Sequence, residues 1–263
     1  MGEELVLYEV RERVAVVTFN RPDRLNAWTP SLGLAYHDLL DRADRDPEVR
    51  AIVVTGKGRG FCAGADMGDL GEISAESPPA ELDSRPITYP RTLRKPVIAA
   101  VNGAAAGMGL TLAVVCDVRI VAAGAKLTTA FARRGLVAEH ALSWLLVQLV
   151  GPSVALDLLL SGRVILGAEA GELGLVNRVV GADEAVDAAL TYATELATLS
   201  SPWSMAAMKQ QVYADQERAL ERAYAAATRL MEQSWGRPDL AEGVASYGER
   251  RPPQFPPLPG GDG

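Results

Sequence analysis

The sequence predicts an α/β protein in which short buried strands end in glycine-rich turns, followed by a C-terminal part made almost entirely of helices. Residues 97–101 form a short apolar run, and the turn NGAAAGMG follows it at 102–109. Residues 51–55 form a second apolar run, and GFCAGAD follows it at 60–66. From Asp183 onward the chain has helical composition. These three observations predict the fold class.

The N-terminal elements follow from local patterns. Residues 5–10 and 14–19 have strand composition on either side of a charged turn, which predicts a hairpin. Thr29 and Pro30 are suited to the N-cap and first position of a helix, and apolar residues at helical spacing extend that helix to Asp46.

The later elements are punctuated by glycine and proline. Residues 71–88 are polar and contain three prolines, which predicts a mobile loop at the mouth of a site. Beyond the second turn we expect a helix, a strand, two helices split by Gly151-Pro152 and a further strand (about 109–115, 118–122, 137–150, 153–160 and 176–180).

A composition shift near residue 200 predicts a core at 1–200 and a helical region at 201–263 with a proline-rich tail, extended or disordered. No sequence-identical internal repeat is visible.

Composition excludes several classes of partner. The net charge of −7 argues against nucleic acid or an anionic membrane as the main partner. Cys62 and Cys116 fit small buried residues in a reducing compartment. The N-terminus has no signal-peptide layout, and no apolar run approaches ~20 residues without charge or turn signals. We therefore expect a cytoplasmic protein without a membrane span.

The two glycine turns are the main chemical signal. Each one directs free backbone N–H groups out of a turn, and two such groups could converge on one oxygen, as the enolate of a thioester requires. Known phosphate motifs do not fit, because Leu112 occupies the third glycine position of a dinucleotide fingerprint and Gly58 the Ser/Thr position of a phosphate loop. The alternative is that both turns only allow tight packing.

The segments FCAGADM and KPVIAAVNGAAAGMGLTLAVVCDVRI resemble the crotonase family, the enoyl-CoA hydratase/isomerase superfamily. The resemblance runs from NRPDRLNA to RPDLAEGVASYGERR. It implies a spiral of repeated ββα units with a C-terminal helical trimerisation region. It also implies an acyl-CoA or enoyl-CoA substrate in fatty-acid metabolism, no cofactor beyond the coenzyme A of the substrate, and a trimer or dimer of trimers.

The resemblance also implies site residues. The oxyanion-binding N–H groups would belong to Ala63 and Met108, and Arg24 with Leu25 would contact coenzyme A, although Arg24 could equally be a surface arginine. Asp66 is interpreted as the N-cap of a short helix at 67–70 near the adenine. Further substrate contacts are expected from Ala65, Asp66, Met67, Gly107, Phe131 and Trp144.

The catalytic acid differs from the hydratase pattern. Thr111 and Phe131 occupy the positions of the two hydratase glutamates, and neither transfers a proton at neutral pH. Glu139 is the replacement, with an apolar environment expected to raise its pKa and with His140 beside it. The alternative is that Glu139 is an acid in the first turn of a helix at 140–150.

Other chemistries of His140 are not supported. It has no second histidine or cysteine at metal-ligand spacing, and the sequence has no G-x-S-x-G elbow to pair it with Ser143. The resemblance therefore implies a hydratase or an isomerase, with a non-catalytic acyl-CoA binding protein as the alternative. Arg133 and Arg134 fit a solvated face, a subunit contact or a lid equally well.

Overall fold

The computed structural model describes residues 4–66 and 83–258. The strands in these ranges form one six-stranded and one four-stranded sheet. They are β1 (Val6–Arg11), β2 (Val14–Phe19), β3 (Ala51–Gly56), β4 (Gly60–Cys62), β5 (Val97–Val101), β6 (Ala104–Ala106), β7 (Val118–Ala122), β8 (Lys126–Thr128), β9 (Ile165–Leu166) and β10 (Arg178–Val180).

The larger sheet has the order β1-β2-β3-β5-β7-β10. Only β1 and β2 pair antiparallel, as the predicted hairpin, and the remaining neighbours are parallel. Strands β3 and β5 are buried along their whole length, which is typical of parallel strands covered on both faces. Burial on both faces explains why the sequences of β3 and β5 are continuous apolar runs.

The smaller sheet has the order β4-β6-β8-β9. In each of the pairs β3–β4, β5–β6 and β7–β8, the first strand lies in the larger sheet and the second in the smaller one. The predicted α/β class and the repeated two-strand units are therefore confirmed. The repeat brings the turn after β4 next to the turn after β6.

Eight α-helices belong to the described residues, and several begin or end at the predicted signals. They are α1 (Pro30–Arg45), α2 (Met108–Val114), α3 (Leu142–Ser161), α4 (Gly167–Glu172), α5 (Ala185–Leu199), α6 (Pro202–Asp215), α7 (Leu220–Trp235) and α8 (Pro238–Glu249). The Thr29 hydroxyl accepts the N–H of Leu32 at 3.2 Å, so the predicted N-cap is confirmed. The breaks at Ser201-Pro202 and before Pro238 are also found.

Helices cover both faces of the larger sheet. On one face, Leu32, Tyr36 and Leu40 of α1 pack in the main hydrophobic core. On the other, α5 presents an alanine every four residues to a second core. Small residues at helical spacing let α5 lie close to the strands. The break between α5 and α6 falls at the predicted boundary near residue 200, and the division into two domains stays a prediction.

Helix α3 differs from its prediction. It is 20 residues long with a mean hydropathy of 1.6, enough by length and composition to cross a membrane, but it contains the Gly151-Pro152 turn signal and the charged Asp157, and the absence of a membrane span stays a prediction. Gly151 has φ 72° and ψ 167°, which kinks the helix where two helices were predicted. The helix packs on the core through Leu142, Leu145, Leu146, Ala155 and Leu158.

Two predicted flexible segments are partly described. Residues 71–82 and 259–263 lie outside the described ranges. In the part that begins at Asp83, the guanidinium of Arg85 binds the carboxylates of Asp38, Asp41 and Asp83, and the mobility of the loop stays a prediction. The tail is extended as predicted up to Leu258, where its leucine side chain is buried.

A buried histidine joins α1 to the segment after residue 82. His37 is only 2% exposed, and its Nδ1 lies 2.7 Å from Oδ2 of Asp83. Burial opposes ionisation of Asp83, but hydrogen bonds from Arg85 and His37 lower its pKa to about 2. The carboxylate is thus ionised and Nδ1–H donates to it. Nε2 is buried without a hydrogen-bond partner among the described residues.

This arrangement keeps His37 neutral. Protonating Nε2 would bury a second N–H without an acceptor, which is unfavourable. Burial accordingly lowers the pKa of His37 and outweighs the opposing effect of Asp83. In the unfolded chain the imidazole has an ordinary pKa of about 6.5 and is protonated first as the pH falls.

We therefore expect the free energy of unfolding to fall as the pH drops below about 6.5, with a slope of at most about 1.4 kcal/mol per pH unit for one proton. His37→Asn should remove most of this slope between pH 7.5 and 5.5, as measured by urea denaturation. His140→Asn is the comparison: burial lowers the pKa of that imidazole too, but its side chain is 34% exposed, so its removal should change the slope less. An unchanged slope in His37→Asn would contradict the prediction.

Candidate functional site

A cavity of about 280 Å³ opens beside the two glycine turns. Four segments of the chain form its walls: the turn before α1, the turn after β4, the turn between β6 and α2, and the loop between β8 and α3. Its lining residues are Arg24, Ala27, 63–66, 106–108, 129–131, Arg134, Leu136 and Glu139. Both glycine turns and Glu139 therefore belong to one site.

The two glycine turns touch each other through their backbones. A Cβ placed on Gly109 would lie 1.8 Å from the carbonyl oxygen of Cys62, and one on Gly64 would lie 2.8 Å from that of Ala106. Gly64 and Gly107 also have φ values of 100° and 51°, which favour glycine. A side chain at Gly109 or Gly64 would push the turns apart. The tight packing of the two turns therefore also brings them together in the cavity wall.

The N–H of Ala63 does not point into the cavity as a free donor. It donates to the carbonyl oxygen of Leu25 at 3.0 Å, so its predicted role in the oxyanion hole is wrong. Among the described residues, the N–H groups of Ala65 and Met108 have no acceptor, and both residues line the cavity. The Met108 donor is the first residue of α2, where the helix leaves its N–H unpaired. The donor pair is therefore Ala65 with Met108.

The turn that carries Ala65 is held by the N-terminal segment. Trp28 donates its N–H to Gly64 O at 2.7 Å, and its own carbonyl oxygen accepts the N–H of Asp66 at 2.9 Å. This parallel bridge on either side of Ala65 leaves the Ala65 N–H directed away from Trp28. Fixed donors of this kind need no reorganisation when negative charge develops on a bound oxygen.

Asp66 lines the cavity, but its charge is already matched. Arg21 binds its carboxylate at 2.9 Å, and both side chains are about four-fifths buried. The predicted helix at 67–70, for which Asp66 would be the N-cap, and the predicted contact of Met67 lie outside the described residues. Arg21, which the sequence analysis did not single out, thus binds Asp66 and fixes this part of the cavity wall.

The positions of the two hydratase glutamates contain no acid. The Thr111 hydroxyl is fully buried, donates to Gly107 O at 3.1 Å and is not part of the cavity lining. Phe131 lines the cavity, and its ring lies 3.8 Å from a Cβ placed on Gly107. The cavity is therefore apolar at the place where a second carboxylate was considered.

Glu139 lines the cavity from the loop before α3. Its side chain is 44% exposed, so the enclosed apolar environment expected for it is absent. His140 Nε2 lies 3.5 Å from Glu139 Oε2, and burial lowers the pKa of this imidazole, with Glu139 opposing the shift. His140 is not among the cavity-lining residues.

The local backbone separates Glu139 from helix α3. His140 and Ala141 have φ values of 52° and 59°, and the helix begins only at Leu142. The Glu139 carbonyl oxygen accepts the N–H of Leu142 at 3.0 Å. Glu139 therefore precedes the helix, and the first-turn alternative is wrong.

Two further predicted contacts lie elsewhere. Leu25 is absent from the cavity lining, and its carbonyl oxygen supports the turn through Ala63. Trp144 is also absent from it, and the Arg91 guanidinium lies 5.4 Å from its ring centroid. Arg24, Ala65, Gly107 and Phe131 do line the cavity, and their contact with substrate stays a prediction.

The two adjacent arginines have different environments. Arg133 Nε donates to the carbonyl oxygen of Ser161 at 2.7 Å, at the C-terminal end of α3. Arg134 lines the cavity. Cys62, which precedes the cavity-lining turn of residues 63–66, is buried and free, and burial raises the pKa of its thiol to about 12. Such a thiol is not a nucleophile at neutral pH.

A family model described as enoyl-CoA hydratase/isomerase matches residues 9–257. The chain belongs to this family. The predicted membership in the crotonase superfamily and the predicted enzyme class are confirmed, and the match covers both glycine turns and Glu139.

Relatives in the family carry more than one activity. The chain is 34% identical over 264 residues to 1,2-epoxyphenylacetyl-CoA isomerase of Escherichia coli, covering 96% of this chain and 98% of the relative. The fold of this chain is similar to that of an enoyl-CoA hydratase, EchA12_1, from Mycobacterium marinum, with 50% identity and a TM-score of 0.71. The match covers 82% of this chain and 100% of the Mycobacterium marinum chain. A probable enoyl-CoA hydratase/isomerase from Mycobacterium abscessus gives 35% identity, a TM-score of 0.90, and coverage of 96% and 99%.

The contact between the two turns gives a direct test. Gly109→Ala should lower the free energy of unfolding by about 1–3 kcal/mol or more, because its Cβ meets the Cys62 carbonyl oxygen at 1.8 Å. It should also abolish binding of butyryl-CoA, since the donors of Ala65 and Met108 separate. Urea denaturation and calorimetry measure the two effects.

Gly124→Ala is the matched control. A Cβ at Gly124 meets nothing within 4 Å, so its stability should stay within about 0.5 kcal/mol of the original protein. Full stability and full binding in Gly109→Ala would show that the close contact of the turns is not required.

Proposed function

We propose that this member of the enoyl-CoA hydratase/isomerase family shifts the double bond of an enoyl-CoA, with Glu139 transferring the proton. One observation carries the proposal. Two carboxylates line the cavity, Asp66 and Glu139, and Asp66 is paired with Arg21. Glu139 is left as the carboxylate that reaches the cavity without an arginine or lysine bound to it within the described chain.

The proposed reaction conserves atoms and charge. The thioester oxygen accepts the N–H groups of Ala65 and Met108. The Glu139 carboxylate removes a proton from the γ carbon of a 2-enoyl group, and the electrons of that C–H bond move through the conjugated system onto the thioester oxygen. The two N–H groups stabilise the resulting dienolate. The protonated Glu139 then returns the proton to the α carbon, which gives the 3-enoyl thioester.

The same geometry is less suited to adding water. Hydration needs one group to activate water and another to protonate carbon. Thr111 and Phe131 supply neither, and His140 is not part of the cavity lining. A single carboxyl group that both takes and returns a proton is sufficient for isomerisation.

The coenzyme A part of the substrate is proposed to lie against Arg24. This side chain lines the cavity beside the turn of residues 63–66 and supplies local positive charge in an acidic protein. No cofactor besides coenzyme A is required by the proposed reaction. The proposed context is fatty-acid metabolism in the cytoplasm, for which two free, buried cysteines are suitable.

Glu139→Gln should lower turnover by ~10²–10⁴-fold, the usual effect of removing a general acid–base group. The amide keeps the size of the side chain, and the N–H groups of Ala65 and Met108 are untouched, so butyryl-CoA should bind as before. Turnover is followed by mass spectrometry and by the absorbance of the conjugated enoyl group.

The products separate the candidate activities. An unchanged mass with a moved double bond supports the proposed isomerase, and a gain of one water would establish a hydratase instead. Binding of acyl-CoA without conversion of enoyl-CoAs of any chain length would support the non-catalytic alternative. Full turnover in Glu139→Gln would refute its role.

We also propose that the chain assembles as a trimer or a dimer of trimers through its C-terminal helices. Large apolar side chains on α7 and α8 are exposed in the single chain: Leu220, Tyr224, Met231, Trp235, Leu240, Val244 and Tyr247. Contiguous apolar surface of this kind is typical of protein–protein interfaces.

Light scattering should give three or six times the chain mass of 27.9 kDa. The double variant Tyr224→Glu, Trp235→Glu should shift the protein towards monomer, because it places charges in the proposed interface. Val10→Glu, at an exposed apolar position on β1, is the control and should leave the mass unchanged. A monomeric mass for the original protein at micromolar concentration would exclude this assembly.

A further inference from the structure

Arg134 is a cation in the cavity that no acid of the described chain neutralises. It lines the cavity, and its side chain makes one hydrogen bond within the described residues, a long one of 3.4 Å from Nη1 to the Ala130 carbonyl oxygen. No ion pair joins it to Glu139, which lies on the same loop. The other arginine beside this cavity wall, Arg133, is bound to Ser161 O.

The local backbone separates the two arginines. Residues Ala132–Arg134 form a single 3₁₀ turn that ends at Gly135 with φ 70°. Arg133 is held on one side, where its Cγ lies 3.2 Å from a Cβ placed on Gly162. Arg134 is the residue of this turn that reaches the cavity. The anchoring of Arg133 thus fixes the turn from which Arg134 extends.

The charges around the cavity indicate what Arg134 faces. Its charged lining residues are Arg24, Asp66, Arg134 and Glu139. Asp66 is paired with Arg21, and Arg24 belongs to a different segment of the lining, before α1. Arg134 shares its wall with Glu139 and with the apolar side chains of Phe131 and Leu136. It therefore lines the same cavity as the group proposed to act on the acyl carbons.

We propose that Arg134 binds a carboxylate carried by the acyl group, so that the preferred substrates are enoyl-CoA thioesters of dicarboxylic acids. This inference rests on the proposed function, because it places the thioester oxygen at Ala65 and Met108. A guanidinium binds a carboxylate through two parallel, charge-assisted hydrogen bonds. Arg134 is exposed, so its guanidinium is accessible to a ligand that enters the cavity, and Phe131 and Leu136 supply apolar lining in the same loop.

The charge of Glu139 increases the need for a cation such as Arg134 when the acyl group carries a carboxylate. A carboxylate on the acyl group enters a cavity that already contains the Glu139 side chain, and two like charges repel. Arg134 offsets this repulsion. Without it, the same acyl carboxylate should bind worse than a neutral group of similar size.

Binding of two saturated thioesters tests the proposal without any catalysis. Succinyl-CoA and butyryl-CoA have four-carbon acyl groups that end in a carboxylate and in a methyl group. Calorimetry should show succinyl-CoA binding about 10-fold or more tightly to the original protein. In Arg134→Gln the order should reverse, with butyryl-CoA affinity nearly unchanged. Arg133→Gln, one position away with the same loss of charge, should keep the original preference.

The outcomes are distinct from those of the Glu139 experiment. Equal affinities for both thioesters in the original protein, or equal losses for both in Arg134→Gln, would overturn the proposal. Equal losses would show that Arg134 contacts coenzyme A itself. Unchanged butyryl-CoA binding verifies that each variant is folded. A carboxylate preference that depends on Arg134 would stand even if Glu139 were not the proton carrier.

Discussion

The site depends on the direct contact of two backbone turns. The carbonyl oxygen of Cys62 occupies the space where any side chain at position 109 would lie, and Ala106 O does the same opposite Gly64. Only residues without a Cβ allow this approach. The contact brings an N–H from each turn to one cavity, because β4 and β6 are neighbours in the smaller sheet. The donors are thus positioned by packing of the main chain and not by side chains.

The opposite wall of the cavity is attached to a single helix. The loop from β8 to α3 begins where Thr128 and Thr129 donate to the carbonyl oxygens of Gly162 and Leu158, at the C-terminal end of α3. It ends where the helix N-terminus begins, after Glu139. The orphan carbonyl groups of a helix end are thereby satisfied by the same residues that carry the cavity wall. Arg133 adds a third such bond.

Local sequence patterns were sufficient for much of the fold. Continuous apolar runs predicted the buried strands, and Thr29-Pro30 and Gly151-Pro152 predicted where α1 begins and α3 bends. These signals act within a few residues of the chain, so a sequence carries them directly. The family resemblance then supplied the order of the sheets' two-strand units.

The errors in the site have a nonlocal cause. Ala63 and Ala65 are both alanines of the same turn, so the sequence does not distinguish their N–H groups. The hydrogen bond from the Ala63 N–H to the carbonyl oxygen of Leu25, far earlier in the chain, shows that the Ala65 N–H is the free one. Trp144 follows Glu139 closely in sequence but lies against Arg91. One signal was available: Arg21 and Asp66 both lie in matched family segments and carry opposite charges. Their pairing nevertheless depends on the bridge between Trp28 and Ala65.

The break at Gly151 divides the support of the cavity into two rigid parts. Residues before the break hold the end of the loop that carries Glu139, and residues after it hold the end that carries Arg134. The two ends of this loop are therefore held by helix segments on either side of the bend. Gly151 does not line the cavity, so a substitution there would alter this wall from outside the cavity lining. The Gly107 N–H donates to the Thr128 carbonyl oxygen at 3.0 Å, so a shift of this wall would also reach the turn that carries Met108.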